Sequence, residues 1–193
     1  MIQQSLVLIK PEAVKRGIVG EILNRFERAN LKIVGAKLIV PTRELAERHY
    51  EKDDEWKIKI GKIRLEDAEK HNLDIMDLYG TTEPIEIGAL VNKANHDYLV
   101  SGPVLAFVLE GVNAVQKIRV LVGPTFANEA PAGTIRGDYS SESSYTSVVR
   151  KRTVFNIIHA SGNEPEAKFE ISLWFKPEEI ISYRRVHEDL YGY

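Results

Sequence analysis

The order in which two hydrophobic periodicities follow each other constrains the fold of this chain more than any other feature. Ser5 to Lys10 reads SLVLIK, a short apolar run closed by Pro11, which suits a buried strand. Val19, Ile22, Leu23 and Phe26 then recur at i, i+3, i+4 and i+7, giving a helix with one apolar face and with Glu21, Arg25 and Glu27 turned away. Leu31 to Val40 returns to strand character. Thr42 is placed to cap a further helix whose inward row is Leu45, Ala46 and His49, with Tyr50 near its end.

The pattern then repeats. Val104 to Leu109, VLAFVL, reads as a third strand, and Asn113 to Val122 as a helix with Val115, Ile118, Leu121 and Val122 inward and Gly123 as its stop. Ile171 to Phe175 is expected to be the fourth strand. Between the halves, Tyr50 to Ser101 reads as an insertion containing a helix, and Pro124 to Thr153 as mostly loop, a length that is usually functional when it occurs. The expected fold is α+β: a ferredoxin-like split βαβ sandwich, one four-stranded antiparallel sheet with helices on one face and two insertions.

Composition narrows the functional classes. The chain has 193 residues, 44% hydrophobic and 28% charged, which suits one soluble domain spanning residues 1–193. A formal charge of -2 gives no general attraction to nucleic acid or to an anionic membrane, so any anion site is local. Without cysteine there is no disulfide, zinc-thiolate site or thiol nucleophile. No basic segment precedes a long apolar stretch, and no run approaches the ~18 apolar residues of a membrane span, so a cytoplasmic protein is expected.

Several residues are candidates for chemistry. Lys10 stands at the end of the first strand, where its ammonium can point into a crevice, although a solvated lysine is the simpler reading. The loop GPTFANEAPAGTIRGD, Gly123 to Asp138, combines glycines for tight turns with Thr125 and with Arg136, a guanidinium suited to anionic oxygens. Arg119 lies on the inward row of its helix with Val115 and Val122, so it is expected near the core face, either facing an anion or snorkelling to solvent. His159 lies between Ile157, Ile158 and a polar turn, and by itself reads first as a packed core residue. His49, His71, His96 and His187 lack metal-ligand spacing and read as surface or structural residues. GxxxxGK[ST], GxGxxG after a strand, HExxH and GxSxG are all absent.

Taken together, IKPEAV, VLEGVNAV, GTIRGD, NIIHAS and EISLWFKPEE resemble the nucleoside diphosphate kinase family, in that family's order and from Leu6 to about Tyr183. The resemblance implies that His159 is the residue phosphorylated in a ping-pong transfer of the γ-phosphoryl group from a nucleoside triphosphate to a diphosphate. It implies that Glu170 orients the imidazole, and that Lys10, Arg119, Thr125 and Arg136 surround the phosphates. It further implies that Asn156 contacts the sugar and Lys10, that Tyr50 lies near the phosphate and Ser161 near the glutamate, and that Mg2+ arrives on the nucleotide phosphates. A homohexamer or other symmetric oligomer is implied as well. The chain departs from the family at Ala160 and at Gly162-Asn163, and in apparent insertions at about 57–97 and 140–152, which are reminiscent of archaeal members. The aromatic on which the base stacks has Trp56, Tyr79 and Tyr98 as candidates.

Two rivals remain at this stage. A non-catalytic module could keep the pocket without turnover, but every matched catalytic residue is present. An RNA-recognition module needs exposed sheet aromatics, and the matching strands offer only Phe107.

Overall fold

The structure, a computed structural model, describes residues 1–186 and 188; the His187 expectation lies outside the described residues. In chain order the first half contains β1 (Ile2–Ile9), α1 (Pro11–Lys15), α2 (Val19–Arg28), β2 (Lys32–Ile39), α3 (Arg43–His49), α4 (Asp54–Lys70), α5 (Ile75–Tyr79) and α6 (Pro84–Leu99). The second half contains β3 (Val104–Val112), α7 (Ala114–Val122), α8 (Ile135–Tyr139), α9 (Ser144–Val149), β4 (Ile158–Ala160) and α10 (Glu164–Trp174). The strands form one antiparallel sheet in the order β2-β3-β1-β4.

The sheet is covered on both faces, where one was expected. Successive β1 side chains point to opposite sides. Val7 and Ile9 join Ile22 and Phe26 of α2 and Ile118 of α7, while Leu6 and Leu8 join Ala46 of α3, Leu99 of α6 and Trp174 of α10. The unbroken apolar run of β1 is the sequence counterpart of this double burial.

The fourth strand is a correction. Ile171 to Phe175 is not a strand; Ile171 to Trp174 is the last turn of α10, and the sheet is completed by the three residues Ile158–Ala160. A five-residue apolar run fits a buried strand and a helix end equally well, and the deciding signal lies upstream, where the Asn163 side chain accepts the Glu166 amide and caps the helix.

The segment read as an insertion with one helix contains α4, α5 and α6. Gly61 faces Pro84 and Gly88 faces Lys57 so closely that a Cβ on either would overlap backbone, which is what lets α4 and α6 lie together. The stretch read as mostly loop holds α8, α9 and a 3-10 turn at Ala127–Glu129. The two segments meet: Arg64 of α4 donates to Ser144 Oγ of α9 at 2.7 Å, Ser144 bonds Asp67, and Lys151 Nζ donates to the Asp77 carbonyl at 2.7 Å.

Candidate active site

His159 sits in the middle of β4, opposite Leu8 of the central strand. The turn before it is strained. Ile157 has φ 56°, a left-handed conformation that β-branched residues rarely adopt, and the Ile158 amide bonds the Asn156 carbonyl across it at 2.6 Å. Such a conformation costs on the order of 1–3 kcal/mol and persists because its surroundings fix it. Here the Ile157 side chain is fully buried and its carbonyl accepts the Lys10 amide at 2.8 Å. The turn thereby ties β4 to the end of β1 and brings Asn156, His159 and Lys10 to one crevice.

α10 supplies the carboxylate. Glu170 Oε1 lies 2.8 Å from His159 Nε2, and Oε2 accepts the Ser161 hydroxyl at 2.6 Å. Because an ionised carboxylate only accepts, the His159 proton belongs on Nε2, and Nδ1 carries the free lone pair. The ring is walled by α3 and the residue that ends it: His49 makes an edge contact at 4.5 Å between centroids, and Tyr50 one at 6.0 Å.

Lys10 Nζ donates to Asn156 Oδ1 at 2.7 Å and lies 5.8 Å above the Tyr50 ring. Arg136, from α8, is held by three carbonyls: Nε to Asn156 at 3.2 Å, Nη1 to Gly123 at 2.9 Å and Nη2 to Ile158 at 2.7 Å. Gly123 takes φ 84° to close α7 and present that carbonyl. Thr125 is exposed, and its carbonyl accepts Asn156 Nδ2 at 3.4 Å. Arg119 corrects the expectation of an inward position, because it is exposed. Val115, Ile118 and Val122 centre the buried face of α7 and leave Arg119 on its margin. Its charge still reaches Arg136, whose pKa is pulled down to about 10, first by burial and then in part by Arg119.

The crevice disfavours extra positive charge. Burial, followed by the nearby Arg136, lowers Lys10 to about 7. Burial, followed by Lys10, lowers His159 to about 3 despite the neighbouring carboxylate: desolvation outweighs the ion pair. Burial raises Glu170 and Tyr50. At neutral pH the His159 ring is therefore unprotonated, beside Lys10 and the Arg136 guanidinium.

The expected aromatics separate. Tyr98 is buried, stacked on Phe155 at 4.5 Å and 15°, with Lys10 Nζ 5.4 Å from its ring and its hydroxyl donating to Glu12, so it does not offer a free platform. Trp56, near the start of α4, lies under Lys52. Tyr79 borders a cleft of about 290 Å³ with Leu78, Leu90, Val91, Ala94 and Arg152. The Arg152 guanidinium lies 3.7 Å over Phe155 and is clamped by both oxygens of Glu142. His71 is exposed and packs on Tyr145, and His96 reaches the Tyr50 carbonyl. His49 and Trp174 are the site residues that sequence reasoning missed. The inward spacing of His49 with Leu45 and Ala46 was the available signal.

His49, His159 and Glu170 form the group of possible metal ligands among the described residues. Two imidazoles and a buried carboxylate do not suit Mg2+, which prefers oxygen and water. No helix of the described residues is long and apolar enough to cross a membrane.

The sequence model of the family described as nucleoside diphosphate kinase matches residues 3–64 and 89–180. The chain is 42% identical over 180 residues to a nucleoside diphosphate kinase of Pyrobaculum aerophilum, covering 93% of this chain and 98% of the relative. It is 39% identical over 189 residues to one of Pyrococcus horikoshii, covering 98% and 95%. A crystal structure of an NDP kinase from P. aerophilum matches with TM-score 0.90 at 40% identity, over 94% of this chain and 100% of that one. A transition state mimic of the nucleoside-diphosphate kinase from Borrelia burgdorferi, with bound vanadate and ADP, matches with TM-score 0.77 at 34% identity, over 97% and 95%.

Proposed function

The chain belongs to the nucleoside diphosphate kinase family, and we propose that it works by a ping-pong mechanism through phosphohistidine at His159. One observation carries this reading: Glu170 occupies His159 Nε2 at 2.8 Å, which leaves Nδ1 as the nucleophile. Nδ1 attacks the γ-phosphorus of a nucleoside triphosphate, a P–N bond forms as the bond to the β-phosphate oxygen breaks, and the diphosphate leaves with that electron pair. A second diphosphate then attacks the phosphohistidine, and the P–N pair returns to Nδ1. Glu170 balances the cationic ring, and Ser161 holds its second oxygen.

The chain's remaining work is positioning and electrostatics. Lys10 and Arg136 face the transferring phosphoryl group, with Arg119 and Thr125 at the open side and Tyr50 beside it, while Asn156 meets the sugar and fixes Lys10. The base takes the cleft bounded by Tyr79, Ala94 and Arg152, with the Arg152–Phe155 stack as its platform. Mg2+ carried by the nucleotide would supply charge neutralisation to its phosphates. The chain forms one domain in which about 57–97 and 140–152 are insertions, acts in the cytoplasm, and assembles as a homohexamer or another symmetric oligomer, which light scattering would distinguish from a monomer.

Incubation with ATP and no acceptor tests the reading. An acid-labile, base-stable phosphoryl group is expected in the parent and absent from His159→Ala, with turnover lost by on the order of 10⁶ and nucleotide binding kept. Near-normal turnover in that variant would end the proposal.

A further inference from the structure

A second histidine touches the same carboxylate. His49 is fully buried in its side chain, and its Nδ1 lies 3.6 Å from Glu170 Oε1, the oxygen that also meets His159 Nε2. Two imidazoles thus compete for one acceptor. If His49 carried its proton on Nδ1, it would be placed to donate to Oε1, draw the carboxylate away and weaken the hold on the nucleophile.

The other neighbour of His49 Nδ1 prevents this. Trp174 Nε1, an obligate donor, gives its hydrogen to that nitrogen at 3.3 Å, which requires a lone pair there. The neutral His49 must then carry its proton on Nε2. That atom is buried without a hydrogen-bond partner among the described residues, an uncompensated position that its own solvation would not choose. The tautomer is therefore imposed from outside the ring. Edge contacts of the His49 ring with Trp174, at 5.5 Å between centroids, and with His159 hold it in that orientation.

We propose that Trp174 is a positioning residue that fixes the tautomer of His49, so that Glu170 serves His159 alone. His49 becomes a neutral wall that accepts from Trp174 and cannot donate to Glu170. The inference rests on His159 being the nucleophile, but its central observable, the His49 tautomer, does not. Consistent with it, burial and then the neighbouring His159 hold the His49 pKa well below its ordinary value, so the ring stays neutral.

The test is two-bond 1H–15N correlation on the histidine-labelled protein, combined with single-turnover phosphorylation by ATP. In the parent, His49 is expected as the Nε2–H tautomer. Trp174→Phe, which keeps an aromatic ring of similar shape, should admit the Nδ1–H tautomer and slow phosphorylation of His159 by on the order of tenfold, the scale seen when an outer partner of a functional histidine is lost. Adding His49→Phe to Trp174→Phe should restore part of that rate, because the competing donor is gone. A purely structural role for Trp174 predicts the opposite, a further loss. An Nδ1–H tautomer in the parent, or a double variant slower than the single one, overturns the proposal. If Trp174→Phe does not fold, the parent's tautomer alone decides. Absence of phosphohistidine in the parent would instead refute the proposed nucleophile.

Discussion

Arg136 donates through Nη2 to the carbonyl of Ile158, the residue directly before His159, at 2.7 Å. Two further bonds, to Asn156 and Gly123, leave the guanidinium two of its five N–H groups for a ligand. The same side chain therefore fixes the strand of His159 and, in the proposed function, faces the substrate.

Arg136→Lys should for that reason behave nearly as badly as Arg136→Ala. A lysine keeps the charge but cannot fork to three carbonyls. Turnover is expected to fall by roughly 10³, and stability by on the order of 2 kcal/mol from the carbonyls left unpaired. Single-turnover rates and urea denaturation check both; a lysine variant with the parental rate would show that charge alone suffices, and an alanine variant with that rate would reassign Arg136 to structure.

The pH dependence follows from the lowered pKa of His159. With the folded value depressed to about 3, chiefly by burial, the neutral ring persists in moderate acid, so phosphorylation should hold its rate well below the ordinary imidazole midpoint of ~6.5. Glu170→Gln removes a negative charge and should not titrate higher than the parent. The sign for stability is the same: the depressed folded pKa values of His49 and His159 give a contribution complete above ~6.5 and lost as pH falls from there through the folded values. A single-turnover midpoint near 6.5 in the intact protein would contradict the burial argument.

Lys10, lowered to about 7 in the free protein, should regain its proton when phosphates enter. At pH 8 nucleotide binding is then expected to take up close to one proton, about 0.9, and at pH 6 almost none. Calorimetry in buffers of different ionisation enthalpy measures this uptake, and Lys10→Met should abolish it. Binding at pH 8 without proton uptake would show that the ammonium is already charged.

Base specificity should be broad. A guanidinium or aromatic platform accepts every π-face, so ADP, GDP, CDP and UDP should differ by about one or two powers of ten under a single donor. Ala94→Trp, which fills the cleft beside Arg152, should raise KM for ATP but leave phosphorylation of His159 by tripolyphosphate unaffected. A preference of about 10⁴ for one base would mean that the segment around α5 reads base edges.

Local signals were sufficient for β1, α2, α3 and α7, because an apolar run closed by a proline, or a 3.6-residue pattern, is written within a single segment and needs no partner to be read. The family blocks likewise pointed to His159, Glu170, Lys10 and Arg136 from sequence alone. What sequence could not decide were features fixed by distant neighbours. β4 is only three residues and exists because β1 offers it an edge. The apolar end of α10 was misread as strand because burial looks the same in both until packing chooses. Arg119 left the core face because Ile118 and Val122 centred α7 elsewhere. His49 entered the site only when α3 and α10 met across the same sheet face, where Trp174 could reach Nδ1. The ionisation of His159 was decided last and entirely by the tertiary structure, since desolvation depends on what surrounds a ring in space and not on its neighbours in the chain.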